Sequence, residues 1–72
     1  MCNAVGVYSF SNNMSLVIES IDYYNDRVLA SENGENSKWY DMCMIYNEDI
    51  DETETEFMYG KMPILFSEFI RV

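Results

Sequence analysis

Read for the spacing of its hydrophobic and polar positions, the chain breaks into short segments that mostly fit a period of two. Cys2 to Phe10 (CNAVGVYSF) is small, β-branched or aromatic and predicts a first strand. Val5 and Val7 fall on one face of it, and Ala4, Tyr8 and Phe10 on the other. Gly6 would weaken that strand or mark a bulge or a close approach. Ser11-Asn12-Asn13 is a turn cluster that could equally cap a helix.

Met14 to Asp26 (MSLVIESIDYYND) fits two periods. Val17, Ile21, Tyr24 and Val28 recur at helical spacing, with Asn13 as cap. Val17, Ile21 and Tyr23 also fit a period of two that Glu19 interrupts. The helix propensities of Val, Ile, Tyr, Asn and Asp are poor, which tips the reading to strand.

Arg27 to Ser31 predicts a short strand, and Glu32 to Asn36 a turn. Asn33-Gly34 between apolar runs is a strong hairpin signal, because both residues tolerate positive φ. The partner strand is Lys38 to Tyr46. Trp39 to Tyr46 is apolar at seven of eight positions. With both faces apolar, it predicts a central strand covered on both sides, Cys43 buried within it and Asp41 near an edge. Asn47 to Glu52 predicts a loop. Thr53 to Tyr59 predicts a strand, with Thr53, Thr55, Phe57 and Tyr59 on one face and Glu54, Glu56 and Met58 on the other. Gly60-Lys61 turns the chain into Met62 to Phe66, where Pro63 requires a strand start or a sheet edge. Ser67 to Ile70 predicts one helical turn capped by Ser67.

The run Asn47 to Glu56 carries six carboxylates in ten residues, directly after the most apolar stretch. It is the local form of an imbalance across the whole chain. Thirteen acidic residues face four basic ones, for a net charge of −9, and there is no histidine. Direct nucleic-acid binding is disfavoured, since phosphate contacts need Lys and Arg, and so is an anionic membrane surface. The complementary partner is a basic protein surface, such as a groove built to hold nucleic acid. Excess charge also serves solubility alone.

Seventy-two residues allow one domain, which buries only about 60% of its unfolded surface. An apolar fraction of 49% and an aromatic fraction of 15% argue for a folded chain despite the charge. Cys2 and Cys43 are too few and too unpatterned for a disulfide framework or a zinc site. MCNAVGVYSF lacks the basic and long apolar regions of a signal peptide, and no apolar run is long enough for a membrane span. A cytoplasmic, reduced protein is expected.

Catalysis is not expected. Without histidine there is no Cys-His or Ser-His pair to activate a nucleophile, and Gly6, Gly34 and Gly60 stand too far apart for a phosphate loop. A dedicated metal site fails as well. An EF-hand loop starting at Asn47 places Asp49 and Asp51 correctly but puts Glu52 where Gly belongs and Met58 where Glu belongs. No cofactor is implied.

The apolar strand, the Asn33-Gly34 hairpin, Trp39, Phe57-Met58-Tyr59-Gly60 and the ending Ile64-Leu65-Phe66-Ser67-Glu68-Phe69-Ile70-Arg71-Val72 look like a small Src-homology-3-like barrel. That resemblance covers roughly residues 15–72. In size and charge the chain is also similar, as a class, to phage-encoded inhibitors that mimic DNA, the anti-CRISPR and anti-restriction proteins. No motif aligns a functional residue from either group.

The expected fold is therefore all-β, a small SH3-like barrel of about five strands in a single domain spanning 1–72. The alternative is α+β, with one helix near residues 14–26 packed on an antiparallel sheet. The expected function is non-catalytic: Glu48, Asp49, Asp51, Glu52, Glu54 and Glu56 bind a basic, nucleic-acid-binding surface of another protein and inhibit it. Glu54 and Glu56 on one strand face would stand roughly 6.6 Å apart, of the same order as successive phosphates along a nucleic-acid strand. The setting implied is a bacterial or phage-infected cell. The alternative is an assembly module, with a homodimer or another protein bound through an exposed aromatic and Met patch that includes Tyr23, Tyr24, Tyr40 and Tyr46.

Overall fold

A computed structural model describes residues 5–10 and 13–71. Seven antiparallel strands form one sheet: β1 (Gly6–Ser9), β2 (Ser15–Asp22), β3 (Arg27–Glu32), β4 (Glu35–Asn47), β5 (Glu52–Tyr59), β6 (Met62–Leu65) and β7 (Ile70–Arg71). A single 3-10 turn, Phe66–Glu68, joins the last two. The strand order is β6-β5-β4-β3-β2-β1-β7, so β6 and β7, consecutive in the chain, stand at opposite edges. The link between them spans the opening of a curled, barrel-like sheet. Phe69 sits in that link, its ring 5.5 Å from Tyr8 on β1 and 5.7 Å from Phe57 on β5.

The all-β expectation holds, with seven strands rather than about five. The α+β alternative does not, because residues 15–22 are strand. Their apolar positions follow a period of two with one slip. Leu16 and Ile18 are buried, and the register against β3 then shifts between Ile18 and Ser20, so that Ile21 pairs with buried Val28. Glu19 is the residue taken up by this bulge, which lets Leu16, Ile18 and Ile21 all pack toward the core although 18 and 21 differ in parity. Val17, the first residue of the apparent helical stripe, is only half-buried.

Asn33 and Gly34 take φ of 55° and 83° and close a two-residue turn between Glu32 and Glu35, as their sequence predicts. Pro63 lies on the edge strand β6, where its missing donor leaves no ladder bond unmade. On β1, Gly6 marks a close approach: a Cβ there would stand 3.3 Å from the Phe69 Cβ. The final turn begins at Phe66, with Leu65 preceding it and Glu68 accepting the Leu65 N–H at 3.2 Å. Ser67 lies inside the turn and is not its cap. Residues 2–4 of the expected first strand, and Ser11 and Asn12 of the turn cluster, lie outside the described residues.

Leu16, Ile18, Val28, Ala30, Met42, Phe57 and Ile64 are buried together inside the curl. Around them pack Tyr8, Phe10, Tyr40, Tyr59, Phe66 and Phe69. Six large aromatic rings thus substitute for the second layer that so short a chain does not supply.

β4 departs from expectation. It is not covered on both sides: Met42 is its one buried residue, and Trp39, Cys43, Met44, Ile45 and Tyr46 are all exposed. The reason lies in the pairing. Residues 35–41 pair with β3, ending at Arg27↔Asp41, whereas residues 42–47 pair with β5. Asp41, expected near an edge, is exposed at this change of partner. Beyond it, β4 and β5 run on together as a hairpin that leaves the core behind.

Candidate protein-binding surface

The acid run occupies that hairpin. Glu48, Asp49 and Asp51 lie in the turn, and Glu52, Glu54 and Glu56 on β5. The turn is locally determined. Asn47 Oδ1 accepts the Asp49 N–H at 3.0 Å, and Asp51 adopts φ of 54°, a left-handed position that Asp tolerates. The Tyr46 hydroxyl donates to Asp51 and braces the turn against β4.

Cross-strand registry sorts the β5 carboxylates. Phe57 is buried opposite Met42, so Glu54 and Glu56, three and one residues before it, project from the other face, opposite Ile45 and Cys43. Glu48, Asp49, Asp51 and Glu52 are exposed, and Glu54 and Glu56 are half-buried. Among the described residues, none of these six carboxylates pairs with a cation. An ion pair, Arg27 Nη2 to Asp22 Oδ2 at 3.6 Å, is at the β2–β3 turn, where Arg27 also lies 4.7 Å over the Trp39 ring. Hydrogen bonds from the side chain and backbone of Asn25, with Arg27 adding to them, hold the Asp22 carboxyl below its usual range. Lys38 lies over Tyr40, 5.6 Å from the ring centroid. Two of the four cations are thus engaged in the β3–β4 half of the sheet, away from the acid run.

The four tyrosines considered from sequence do not form one surface. Tyr23 and Tyr24 are exposed in the β2–β3 turn, Tyr46 is exposed on the acidic hairpin, and Tyr40 is turned inward against Phe57 at 5.0 Å. What sequence reasoning missed is an apolar set on the acidic hairpin itself: Met44, Ile45, Tyr46 and Ile50 are each more than 40% exposed. The signal was present in the run Trp39–Tyr46, but it was read as core.

Inside the curl, Tyr59 donates its hydroxyl to Glu32, and this hydrogen bond, ahead of burial, pushes the phenol up to about 12. The Tyr40 hydroxyl is buried without a partner, and burial, followed by the nearby Glu32 charge, raises its pKa. This cluster joins β3, β4 and β5 on the inner side of the curl. A cavity of about 590 Å³ is lined by Val5, Ile18, Ile21, Tyr23, Phe69 and Arg71 among others, with one cation and no acid. A smaller one of about 260 Å³ lies beside Glu52 and Glu54, against Leu65 and Phe66. Among the described residues, no three acidic or sulfur side chains converge as metal ligands, and no helix is long and apolar enough to cross a membrane.

Comparison with protein families, with characterised proteins and with solved structures finds no match. The surface itself is the basis for a functional reading.

Proposed function

We propose that this protein binds a basic, nucleic-acid-binding surface of another protein through the β4–β5 hairpin and inhibits it, without catalysis. The observation that carries this reading is the projection of Glu48, Asp49, Asp51, Glu52, Glu54 and Glu56 on one hairpin with no cation paired to them among the described residues. Opposed to arginines, such carboxylates form charge-assisted and often bidentate bonds, and their field accelerates encounter. A bacterial defence nuclease, of the kind that anti-CRISPR and anti-restriction proteins block inside an infected cell, has the required basic groove. The test is capture of partners from a bacterial lysate, identified by mass spectrometry, at low and high salt and with duplex DNA as competitor. A nucleic-acid-binding protein held at low salt, released by salt or DNA, and lost when all six carboxylates become Gln or Asn supports the reading. Capture that the six-fold variant leaves unaltered overturns it.

A second reading is an assembly module, favoured by the exposure of Met44, Ile45, Tyr46 and Ile50 on the same hairpin. Its partner, a second copy or another protein, would stay bound at high salt.

A further inference from the structure

The acidic hairpin has an open side. β3 begins at Arg27, and its side of β4 ends in a last bond from the Met42 N–H to the Asp26 carbonyl at 3.0 Å. Past that bond, residues 43–47 have no strand partner on that side among the described residues. Registry with β5 is unbroken from Met42 to Asn47, so backbone direction alternates regularly along the segment. Because Met42 directs its N–H toward β3, Met44 and Tyr46 direct theirs to the same side, along with their carbonyls. Cys43, Ile45 and Asn47 face β5. Met44 and Tyr46 therefore present two donors and two acceptors at the spacing of a strand ladder, about 7 Å apart.

Sheet edges are ordinarily blunted by a charge, a proline, a bulge or a covering element. Met42 to Tyr46 contains no charge and no proline, runs without a bulge and is exposed beyond Met42. Charge is found only at its two ends, in Asp41 and in Glu48 and Asp49. We propose that this edge takes an extended segment of a partner protein as an added β-strand, with an uncharged middle opposite Met44 to Tyr46 and lysine or arginine at its ends.

The charges decide between a foreign strand and a second copy. Antiparallel pairing of two copies through Met44 and Tyr46 carries the acidic turn of each, with Glu48 and Asp49, to the point where Asp26 closes the other's edge, and like charges brought together there are destabilising. Each copy also brings a net charge of −9. A basic-ended strand converts both clashes into attractions, and main-chain bonds supply affinity that salt does not screen. The inference rests on the basic-partner reading above and adds how the partner is held.

The probe is a short synthetic peptide of alternating valine and threonine with paired lysines at each end, titrated into isotope-labelled protein and followed by amide NMR. At about ten times its Kd, hydrogen exchange at Met44 and Tyr46 is expected to slow about tenfold. A chemically synthesised chain N-methylated at Met44 should lose this response while keeping its fold, because that N–H lies away from β5. Peptide-induced shifts confined to the acidic residues, with Met44 and Tyr46 exchange unchanged, would overturn strand addition and leave the electrostatic reading standing. Equal protection by a peptide with glutamates in place of the lysines would overturn the basic partner, and with it that reading. A peptide-free dimer with Met44 and Tyr46 already protected would assign the edge to a second copy and overturn the proposal.

Discussion

The Tyr59 hydroxyl donates to the Glu32 carboxylate, tying β5 to the end of β3 over the intervening β4, inside the curl. The two residues belong to strands that do not neighbour each other in the sheet, so the bond restrains curvature and not a ladder. Tyr59→Phe removes the donor and leaves a half-buried carboxylate short of a partner. We expect a loss of about 1–3 kcal/mol in urea unfolding.

The same bond gives the protein an alkaline limit. The folded-state pKa of Tyr59 is raised to about 12, above the value of about 10 for a free phenol. Its contribution is therefore complete below pH of about 10 and is lost as pH rises through about 12. Melting temperature measured across that window should fall, and fall less steeply in Tyr59→Phe. Identical slopes would remove Tyr59 as the cause.

Tyr40 presents the opposite case. Its hydroxyl is buried and unpartnered, although its ring packs on Phe57 and Tyr59. Tyr40→Phe keeps the ring and deletes the orphan group. Stability should be unchanged or should rise by about 1 kcal/mol. A loss comparable to that of Tyr59→Phe would mean that the hydroxyl has a partner, such as an internal water.

Phe57 is fully buried and meets Tyr40, Tyr59 and Phe69. Phe57→Ala should cost about 3–5 kcal/mol, much of what a domain this small possesses. The expected readout is loss of the cooperative thermal transition.

Gly6 tests the closing contact. Adding a methyl at 3.3 Å from the Phe69 Cβ and 3.5 Å from the Ile70 carbonyl oxygen requires β7 to give way. Gly6→Val should lower stability by about 1–3 kcal/mol. It should also speed amide exchange at Ile70 and Arg71 before exchange elsewhere, because their pairing with Val7 and Gly6 is what the added bulk displaces.

Local chemistry was legible in the chain; long-range geometry was not. Asn33-Gly34 specified its turn, Phe57 and Glu56 announced opposite faces, and Pro63 marked an edge, each through steric or hydrogen-bonding limits carried by the residue itself. The slip at Glu19 was visible as an interruption, although the buried phase, Leu16 and Ile18, was not the one that the helical stripe through Val17 suggested. The run Trp39 to Tyr46 misled because apolarity reports a preference for leaving water and not which surface will satisfy it. Cys43, read as buried, is exposed for that reason. β7 depends on the curvature of the whole sheet, and the open edge of β4 depends on where β3 happens to begin. Neither is written at the positions concerned. Of the candidate surface, the carboxylates could be read directly, while the exposed apolar residues beside them became visible only with the fold.

The strand order has a consequence for how the chain acquires its shape. From β1 to β6 every ladder joins neighbours in sequence, so those hairpins can zip one after another at small entropic cost. The pairing of Gly6 with Arg71 spans nearly the whole described chain and must wait for a wide loop to close. Refolding should therefore have two clocks. Trp39 fluorescence would report the early one, set by hairpins, and a probe at Phe69 the later one, set by the arrival of that ring over Gly6.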